Sequence, residues 1–387
     1  MKVAIVRGRH LNKFEMQNYE PLKDEFELIG YSSKRPSFET DIIKFPVKKL
    51  RAVEEVRDRF PGPLRKLLAG YLYKKGYSQH LFGLEKELMG KDIAHVAELR
   101  TNFSYQAVRA KKDNPRLQVV NSVWQNIPYV RLHTSLGPIE FNRKVIEKII
   151  EGTDVFIAVT ERGKEALILE GVPEEKIRII PVGADLERFR PRERDRELME
   201  KLGIGEEDFV VLHIGRAVWE KGAEYLLHAF KLLNIRNSKL IVIGRGPEYG
   251  WIDELVRRYR IEEKVIHIER VPYMEIHRYY SVADVFVLPS SPIPSWQEQF
   301  GMVFVEAMAS GVPVVAGHSG SIPEVVGDAG ILVPPADFHE LSIALRTLAE
   351  DEKLREKLGK TGRKRAEKEF DPRKIAEKIK SVYLSLS

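Results

Sequence analysis

Two glutamates, Glu298 and Glu306, lie eight positions apart in the segment QEQFGMVFVEAMASGVPVVA, which covers residues 297–316. The pattern predicts a turn, then a helix over residues 302–310 and then a buried strand. At about 1.5 Å per helical residue, the spacing separates the two carboxylates by roughly 10 Å. Free backbone N–H groups at the start of the helix would lie between them and suit a phosphate. The segment therefore predicts an anion site with a carboxylate on each side, able to bind the hydroxyls of a nucleotide sugar.

Each glutamate also has a simpler interpretation, as a helix-cap partner or a solvated charge. Glu306 has apolar neighbours on both sides, namely Phe304, Val305, Ala307 and Met308. An unpaired charge in such surroundings would be costly. Glu306 is therefore expected to face a packed surface lined by a ligand.

Two cations follow the apolar run over residues 209–214, which predicts a strand. Gly215 and Arg216 come directly after this run, and Lys221 precedes a helix that begins near residue 222 or 223. Glycine lets a ligand approach the backbone, and the two cations lie where a strand would end at the edge of a sheet. A solvated charge is the ordinary interpretation of such a loop residue.

Taken in order, these motifs resemble glycosyltransferase family 4, a family of retaining enzymes with the two-domain GT-B architecture. The resemblance covers about residues 150–370 and is weaker before them. It is based on Glu298-x7-Glu306, the pair Gly215-Arg216 and Lys221-Gly222, the turn Gly244-Arg245-Gly246-Pro247, and the strand Ala283 to Ser290.

The resemblance implies roles for individual residues in binding a nucleotide-sugar donor. Arg216 and Lys221 would clamp its diphosphate, with Gly215 allowing close approach, while Glu298 would bind the sugar hydroxyls and Glu306 the ribose hydroxyls. The other implied donor contacts are the amides of Phe300, Gly301, Met302 and Val303, the turn at Gly244 and Arg245, and the backbone near Val271.

His95, at the end of the predicted strand 93–96, matches a family histidine and joins Glu298, Arg216 and Lys221 as a candidate catalytic residue. A structural role is the alternative for a histidine at a strand end. Family members commonly carry a second histidine after the strand that corresponds to residues 117–120. Residues 121–126 contain none, so the polar group that replaces it is open.

The resemblance implies transfer of a sugar with retention, in which the leaving phosphate oxygen accepts the proton of the acceptor. No Asp-x-Asp occurs in the chain, so we expect a metal-independent reaction with no cofactor besides the substrate, a UDP-, GDP- or ADP-sugar. The acceptor would be a saccharide, a lipid-linked molecule or a small molecule. The alternatives are a nucleotide-sugar epimerase or hydrolase, and a non-catalytic nucleotide-sugar-binding protein.

Short apolar runs alternate with longer amphipathic stretches along all 387 residues, as in parallel sheets covered by helices. This predicts an α/β protein, and the resemblance implies GT-B, two Rossmann-like doubly wound domains facing across a cleft. We expect an acceptor-binding domain over residues 1–190, a donor-binding domain over 191–370, and a C-terminal helix over 371–387 that packs back on the first. Strands are predicted at 3–6, 26–30, 93–96, 117–120, 155–159, 209–214, 239–243, 265–268, 285–288, 314–316 and 331–333.

The net charge of +6 is unevenly distributed: residues 1–150 contain 28 Lys and Arg against 17 Asp and Glu, a balance of +11, which leaves −5 for the rest. Residues 61–84 have no carboxylate and interleave cations with leucines and tyrosines. Such a helix suits an anionic membrane or a lipid phosphate. An ordinary solvated face is the alternative, and no module for nucleic acid is present.

The beginning of the chain lacks a signal-peptide pattern, and no apolar run reaches the length of a membrane span. We therefore expect a cytoplasmic protein, with peripheral association at the inner face of the membrane as an option. There is no cysteine, which excludes disulfides and thiolate chemistry, and 31% of the residues are charged. Both features favour a thermophilic source.

Overall fold

The computed structural model describes residues 1–134 and 137–386, with only the backbone of residues 132–134. These residues form two compact units. The first unit contains residues 1–183 together with the chain from residue 372 onward, and the second contains residues 184–371.

The first unit contains a seven-stranded parallel sheet in the order β3-β2-β1-β4-β5-β8-β9 and a small antiparallel pair, β6 and β7. Its strands are β1 (Lys2–Gly8), β2 (Glu27–Ser33), β3 (Val47–Leu50), β4 (Ile93–Ala97), β5 (Gln118–Val123), β6 (Leu132–Thr134), β7 (Gly137–Ile139), β8 (Val155–Ala158) and β9 (Ile177–Ile179). The central strands are buried on both faces, as their continuous apolar sequences predict. The strands β3, β6, β7 and β9 were not predicted. In β3, Lys48 and Lys49 interrupt the apolar pattern.

Helices cover both faces of this sheet. They are α1 (Lys13–Met16), α2 (Val53–Arg57), α3 (Gly62–Lys74), α4 (Leu84–Glu87), α5 (Asn102–Ala110), α6 (Arg143–Gly152) and α7 (Glu161–Glu170), with 3-10 turns at Glu20–Leu22 and Glu174–Lys176. Separate apolar clusters lie on the two faces of the sheet, since successive residues of each strand point to opposite sides.

The second unit contains a six-stranded parallel sheet in the order β12-β11-β10-β13-β14-β15. Its strands are β10 (Phe209–Ile214), β11 (Ser238–Ile243), β12 (Val265–Ile268), β13 (Val285–Leu288), β14 (Val314–Gly317) and β15 (Gly330–Val333). All six strands were predicted to within one residue, because every one is a short apolar run bounded by turn residues.

The helices of the second unit are α8 (Arg196–Leu202), α9 (Ala223–Leu233), α10 (Tyr249–Tyr259), α11 (Ile276–Val282), α12 (Met302–Ala309), α13 (Ile322–Val326), α14 (Phe338–Glu350) and α15 (Glu352–Glu369), with 3-10 turns at Trp219–Lys221 and Gly327–Ala329. The helix predicted over residues 302–310 is α12, and Gly311 follows it in the left-handed conformation (φ 74°) that ends many helices.

The chain leaves the first unit after Gly183, before the predicted boundary at residue 190. The amide of Ala184 donates to the carbonyl of Phe370 in the second unit (3.1 Å). The ring of Phe189 packs edge-on against Tyr280 of α11. These contacts place residues 184–189 in the second unit, although they were predicted to belong to the first domain, residues 1–190.

The last helix, α16 (Pro372–Leu384), returns to the first unit. Its apolar face joins the core on one side of the first sheet, where Ile375, Ile379 and Tyr383 are at most 3% exposed. Within the described residues, no helix combines the length and the apolarity needed to cross a membrane.

Candidate functional site

The two central strands of the second sheet, β10 and β13, form its topological switch point. From β10 the chain proceeds outward to β11 and β12, and from β13 it proceeds in the opposite direction to β14 and β15. Loops at the carboxyl ends of two such strands diverge and leave a crevice in which doubly wound sheets bind ligands. The loops after β10 and β13 carry most of the residues implicated by the sequence.

Two glycines let neighbouring loops approach at this edge without an intervening side chain. Gly222 has φ 73°, and a Cβ atom there would lie 2.3 Å from the carbonyl oxygen of Pro289. Gly244 has φ 155°, and a Cβ atom would lie 1.6 Å from the carbonyl oxygen of Gly215. The loops that follow β10, β11 and β13 are therefore packed together through backbone contacts that only glycine allows.

Lys221 and Glu298 form an ion pair at this edge, with Nζ 2.6 Å from Oε2. Their side chains are only 14% and 7% exposed. Ser290, two residues after the end of β13, donates its hydroxyl to the same carboxylate oxygen (3.0 Å). The ammonium group of Lys221 also lies 4.7 Å from the centre of the Trp296 ring, a cation–π distance. The lysine is thus held between a carboxylate and an aromatic face.

Arg216 and Arg245 lie at the same edge but extend into solvent. The side chain of Arg216 is 64% exposed and lies 3.7 Å from Glu220, and that of Arg245 is 80% exposed and lies 2.9 Å from Glu269. Exposed pairs of this kind contribute little to stability. Both guanidinium groups can therefore change partner for an anionic ligand. Val271, three residues after the end of β12, is half-buried.

Helix α12 begins at the same edge, between the two glutamates in sequence. Gly301 precedes it with φ 82°, and Met302 and Val303 form its half-buried first turn. Phe300 is buried and packs edge-on against the ring of Phe370. The first amides of a helix have no partner inside it, so they provide donors for an anion.

Glu306 lies inside α12 and is 4% exposed. Its carboxylate accepts a hydrogen bond of 3.0 Å from the hydroxyl of Tyr280, a residue of α11. Burial raises the pKa of Glu306 to about 7, although the bond from Tyr280 and the charge of Arg188 oppose this rise.

His95 lies in the first unit and is completely buried. The hydroxyl of Tyr383 lies 2.6 Å from its Nδ1, and the hydroxyl of Ser122 lies 2.7 Å from its Nε2. Burial, with the nearby charge of Arg7, holds the pKa of His95 well below its usual range, so the imidazole is neutral. Both ring nitrogens are engaged and no part of the ring is accessible, which favours the structural alternative over a catalytic role.

The structure brings together Lys221 and Glu298 and joins them to Ser290 and Trp296, for which the sequence indicated no firm role. Ser290 ends a motif that was recognised only as a strand, and its place after a buried strand was the available signal. The partner of Glu306, Tyr280, gave no signal, because its spacing on α11 is that of an ordinary core residue.

Two family models match the chain. "Glycosyltransferase Family 4" matches residues 25–188, and "Glycosyl transferases group 1" matches residues 194–365. Together they cover parts of both units.

Curated relatives include enzymes of several named specificities. The chain is 33% identical over 267 residues to the capsular polysaccharide biosynthesis glycosyltransferase CapM of Staphylococcus aureus, covering 66% of this chain and 68% of CapM. It is 32% identical over 229 residues to the sulfoquinovosyl transferase SQD2 of Arabidopsis thaliana, covering 58% and 42%. It is 30% identical over 228 residues to a GDP-mannose-dependent phosphatidylinositol monomannoside mannosyltransferase of Mycolicibacterium smegmatis, covering 57% and 59%. The match therefore spans less than two thirds of the last two relatives.

Solved structures agree over the whole chain. HepE from Anabaena, in complex with UDP-glucose, has a TM-score of 0.76 at 21% identity and is covered completely, as is this chain. Sucrose-phosphate synthase from Thermosynechococcus elongatus has a TM-score of 0.73 at 21% identity, with 100% of this chain and 98% of that one covered. At these identities the likeness concerns the fold. The motifs, the two doubly wound sheets and these similarities show that the chain belongs to glycosyltransferase family 4, a family of sugar-transferring enzymes, and has the GT-B fold.

Proposed function

We propose that this protein is a retaining glycosyltransferase. It transfers a sugar from a nucleotide-diphosphate sugar to a hydroxyl of a saccharide, lipid-linked or small-molecule acceptor, without a metal ion. The observation that carries this proposal is the cluster of Lys221, Glu298 and Ser290 at the switch point of the second sheet, next to the first turn of α12.

This cluster offers complementary groups to the two halves of a donor. The diphosphate would bind to Lys221, to Arg216 after a change of partner, and to the first amides of α12. Glu298 would accept hydrogen bonds from the sugar hydroxyls. In the reaction, the bond from the sugar C1 to the diphosphate oxygen breaks, and a bond from C1 to the acceptor oxygen forms on the same face. The proton of the acceptor hydroxyl moves to the departing diphosphate, whose charge the cations stabilise.

The choice of donors to test first follows from the nucleotide sugars named for similar proteins. HepE was crystallised with UDP-glucose, and the mycolicibacterial relative is named for GDP-mannose. We therefore test UDP-glucose and GDP-mannose first, each with methyl α-D-glucopyranoside, methyl α-D-mannopyranoside and n-octyl β-D-glucopyranoside as acceptors. Product mass and the anomeric coupling constant in NMR identify transfer and retention.

The outcomes separate the proposal from its alternatives. Transfer with the same anomeric configuration supports it, and inversion contradicts the retaining mechanism. Release of nucleoside diphosphate that no acceptor changes indicates a hydrolase. Binding of a nucleotide sugar without turnover indicates a binding protein.

Metal independence is tested with the same assay in excess EDTA. Lys221 and Arg216 supply positive charge near the expected diphosphate, which is the charge that Mg²⁺ would otherwise provide. We expect rates within about twofold of those with Mg²⁺. Loss of transfer in EDTA, restored by Mg²⁺, would contradict this part of the proposal.

We further propose that α3 contacts an anionic membrane surface, close to a lipid-linked acceptor. Large apolar side chains are exposed on this helix, with Leu64, Leu67 and Tyr71 accessible to 44%, 59% and 58%. Four exposed cations accompany them, namely Arg65, Lys66, Lys74 and Lys75. An apolar face surrounded by cations is typical of helices that lie in a membrane interface.

Co-sedimentation with vesicles tests this contact. Binding to phosphatidylcholine vesicles that contain 30% phosphatidylglycerol should exceed binding to pure phosphatidylcholine and should weaken with salt. The double variant Lys66→Glu and Lys74→Glu should reduce it strongly. The same charge change on α15, Lys353→Glu with Lys357→Glu, is the matched control. Equal binding by both variants would leave α3 as a solvated face.

A further inference from the structure

Glu306, the buried carboxyl of α12, is surrounded by side chains from other segments of the second unit. The hydroxyl of Tyr280 on α11 lies 3.0 Å from its Oε2 and 3.2 Å from the carbonyl oxygen of Val303. Phe189, in the segment through which the chain enters this unit, packs against the rings of Tyr280 and Tyr273. The entering segment therefore forms part of the surroundings of Glu306.

Arg188, the neighbour of Phe189, brings a positive charge to this place. Only 12% of its side chain is exposed, and its guanidinium group lies 5.3 Å from the centre of the Tyr273 ring. Its ion pair with Asp185 is long, at 3.3 Å, and the carboxylate is 32% exposed. The Nη1 atom of Arg188 is buried without a hydrogen-bond partner among the described residues. Burial of a guanidinium nitrogen without an acceptor is costly, so the pair with Asp185 does not by itself account for this arginine.

The charge of Arg188 acts on Glu306. Burial raises the pKa of Glu306 to about 7, whereas the hydroxyls of Tyr280 and Tyr273 and the charge of Arg188 favour the ionised form. An ionised carboxylate only accepts hydrogen bonds, and its bonds are roughly twice as strong as those of a neutral group. Two ribose hydroxyls would therefore bind best to Glu306 after it has lost its proton.

Other charged groups around α12 are engaged elsewhere or are neutral. Arg363 of α15 donates to the carbonyl of Ala309, the last residue of α12 (2.8 Å). Helix α13 carries one charged residue, Glu324, which is exposed. On α11, burial lowers the pKa of His277, so this imidazole is largely neutral at pH 7. Arg188 is therefore the cation best placed to compensate the buried carboxylate.

We propose that Arg188 is a positioning residue for nucleotide binding, which keeps the carboxylate of Glu306 available to the ribose hydroxyls of the donor. This assignment rests on the proposed function, because it needs a nucleotide at this site. When a ribose binds to a carboxyl that still carries its proton, that proton passes to the solvent. The positive charge of Arg188 makes this step easier at neutral pH. Nucleotide affinity should therefore rise with pH through 7 and level off above it.

Calorimetric titration with UDP-glucose and GDP-mannose between pH 6 and 8.5 tests this role, since the diphosphate diesters themselves do not titrate in that range. Arg188→Met keeps an aliphatic stem over Tyr273 but removes the charge. Its Kd should rise about five- to twentyfold at pH 7 and less than about threefold at pH 8.5, where Glu306 ionises in both proteins. Arg188→Lys keeps the charge and should follow the wild-type pH profile. Arg190→Met, at an exposed position two residues later, is the matched control and should bind like the wild type.

Glu306→Gln shows whether Arg188 acts through the carboxyl. The amide does not titrate, so adding Arg188→Met to this variant should change the Kd by less than twofold at every pH. A loss in Arg188→Met that is equal at pH 7 and 8.5, or that persists beside Glu306→Gln, would mean that Arg188 supports folding or contacts the nucleotide itself, and would overturn the assignment. An unchanged Kd at pH 7 would overturn it as well.

Two further results keep the test decisive. Arg188→Gln retains a hydrogen-bond donor without the charge, and it replaces Arg188→Met in every comparison if the methionine variant does not fold. If the wild type binds neither nucleotide sugar, the proposed function fails and the assignment falls with it. Binding by the wild type without the expected change of pH profile in the Arg188 variants overturns the assignment alone.

Discussion

Lys221 and Glu298 neutralise each other where water has little access, and this sets what a ligand must do there. The negative charge of an approaching diphosphate would neutralise the ammonium group of Lys221. The carboxylate of Glu298 could then accept hydrogen bonds from a sugar. Removal of either partner would leave the other charge unpaired and poorly solvated. Effects on binding must therefore be separated from effects on stability.

Lys221→Met should raise the Kd for UDP or GDP by about 10- to 100-fold, since a hydrogen bond to a charged group contributes about 1.5–3 kcal/mol. Binding of the corresponding monophosphate should change less. Calorimetric titration of the four nucleotides measures both effects. Lys231→Met on α9, where the lysine donates to a backbone carbonyl at the surface, is the control. An unchanged diphosphate affinity would reject the clamp.

Trp296→Leu should weaken binding of the diphosphate about three- to tenfold, because the cation–π contact that holds Lys221 contributes about 0.5–2 kcal/mol. Trp296→Phe keeps an aromatic face and should lose less. The same titrations, compared between diphosphate and monophosphate, measure the effect. Equal losses for both nucleotides would mean that Trp296 acts on the base or on folding rather than on the lysine.

Glu306 should make folding stability depend on pH between about 4.5 and 7. Its pKa is about 7 in the folded protein against 4.5 for an ordinary glutamate, so the folded state retains a proton that the unfolded state releases. The contribution of Glu306 to the free energy of unfolding should therefore fall by about 1–3 kcal/mol as the pH rises through this window, and it is complete below 4.5. The lowered pKa values of His95 and His213 contribute a slope of the opposite sign. Glu98 contributes a slope of the same sign.

Urea unfolding at pH 5, 6, 7 and 8 tests this for the wild type and for Glu306→Gln. The difference in unfolding free energy between the wild type and Glu306→Gln should shrink as the pH rises through this window, because the histidines with lowered pKa values contribute equally to both proteins. A difference between the wild type and Glu306→Gln that does not change between pH 5 and 8 would show that the carboxyl of Glu306 is ionised throughout.

Among the elements, the loops at the carboxyl end of the second sheet depend on contacts that exclude side chains. The start of α9 at Gly222 is the clearest case, since this residue needs both a left-handed backbone and free space next to Pro289. The position of Lys221, its neighbour, follows from this packing. The geometry of the cation is therefore a property of the loop and not of the lysine alone.

Gly222→Ala should destabilise the second unit by more than the roughly 1 kcal/mol expected for alanine at positive φ, because the new Cβ atom collides with the carbonyl of Pro289. It should also weaken diphosphate binding. Gly203→Ala is a matched control, because Gly203 has φ 63° with no atom within 4 Å of the new Cβ. Equal losses of unfolding free energy in the two variants would show that the loop can shift at no cost.

At the level of the whole molecule, the chain starts and ends in the same unit. Helix α16 supplies Ile375, Ile379 and Tyr383 to the core of the first unit, and Tyr383 hydrogen-bonds His95. Local folding of residues 1–183 alone would leave this apolar surface exposed to water. The first unit should therefore depend on the last residues of the chain, whereas the second unit should not.

Ile379→Ala should reduce the stability of the first unit by about 2–4 kcal/mol, the usual cost of truncating a buried aliphatic side chain. Lys378→Ala, at an exposed position one residue earlier on α16, should have almost no effect. Amide hydrogen exchange, followed separately in peptides of the two units, measures the change. Faster exchange in the second unit, or in both units equally, would contradict the independence of the two cores.

The sequence by itself determined the α/β class, all the strands of the second sheet and the order of the donor motifs, because each is encoded within a few neighbouring residues. Apolar runs between turn residues specify buried strands wherever they occur. The same local pattern missed the short strands β6, β7 and β9 and the edge strand β3, where lysines face water. It also assigned residues 184–189 to the first domain.

Only the tertiary structure decided which groups meet. The ion pair between Lys221 and Glu298 joins residues 77 positions apart, and the bond between His95 and Tyr383 joins residues 288 positions apart. The burial that changes the pKa values of His95, Glu98 and Glu306 likewise comes from packing between elements. The local sequence determines whether a segment forms a helix or a strand. The contacts between functional side chains, and their desolvation, arise only when distant segments pack against one another.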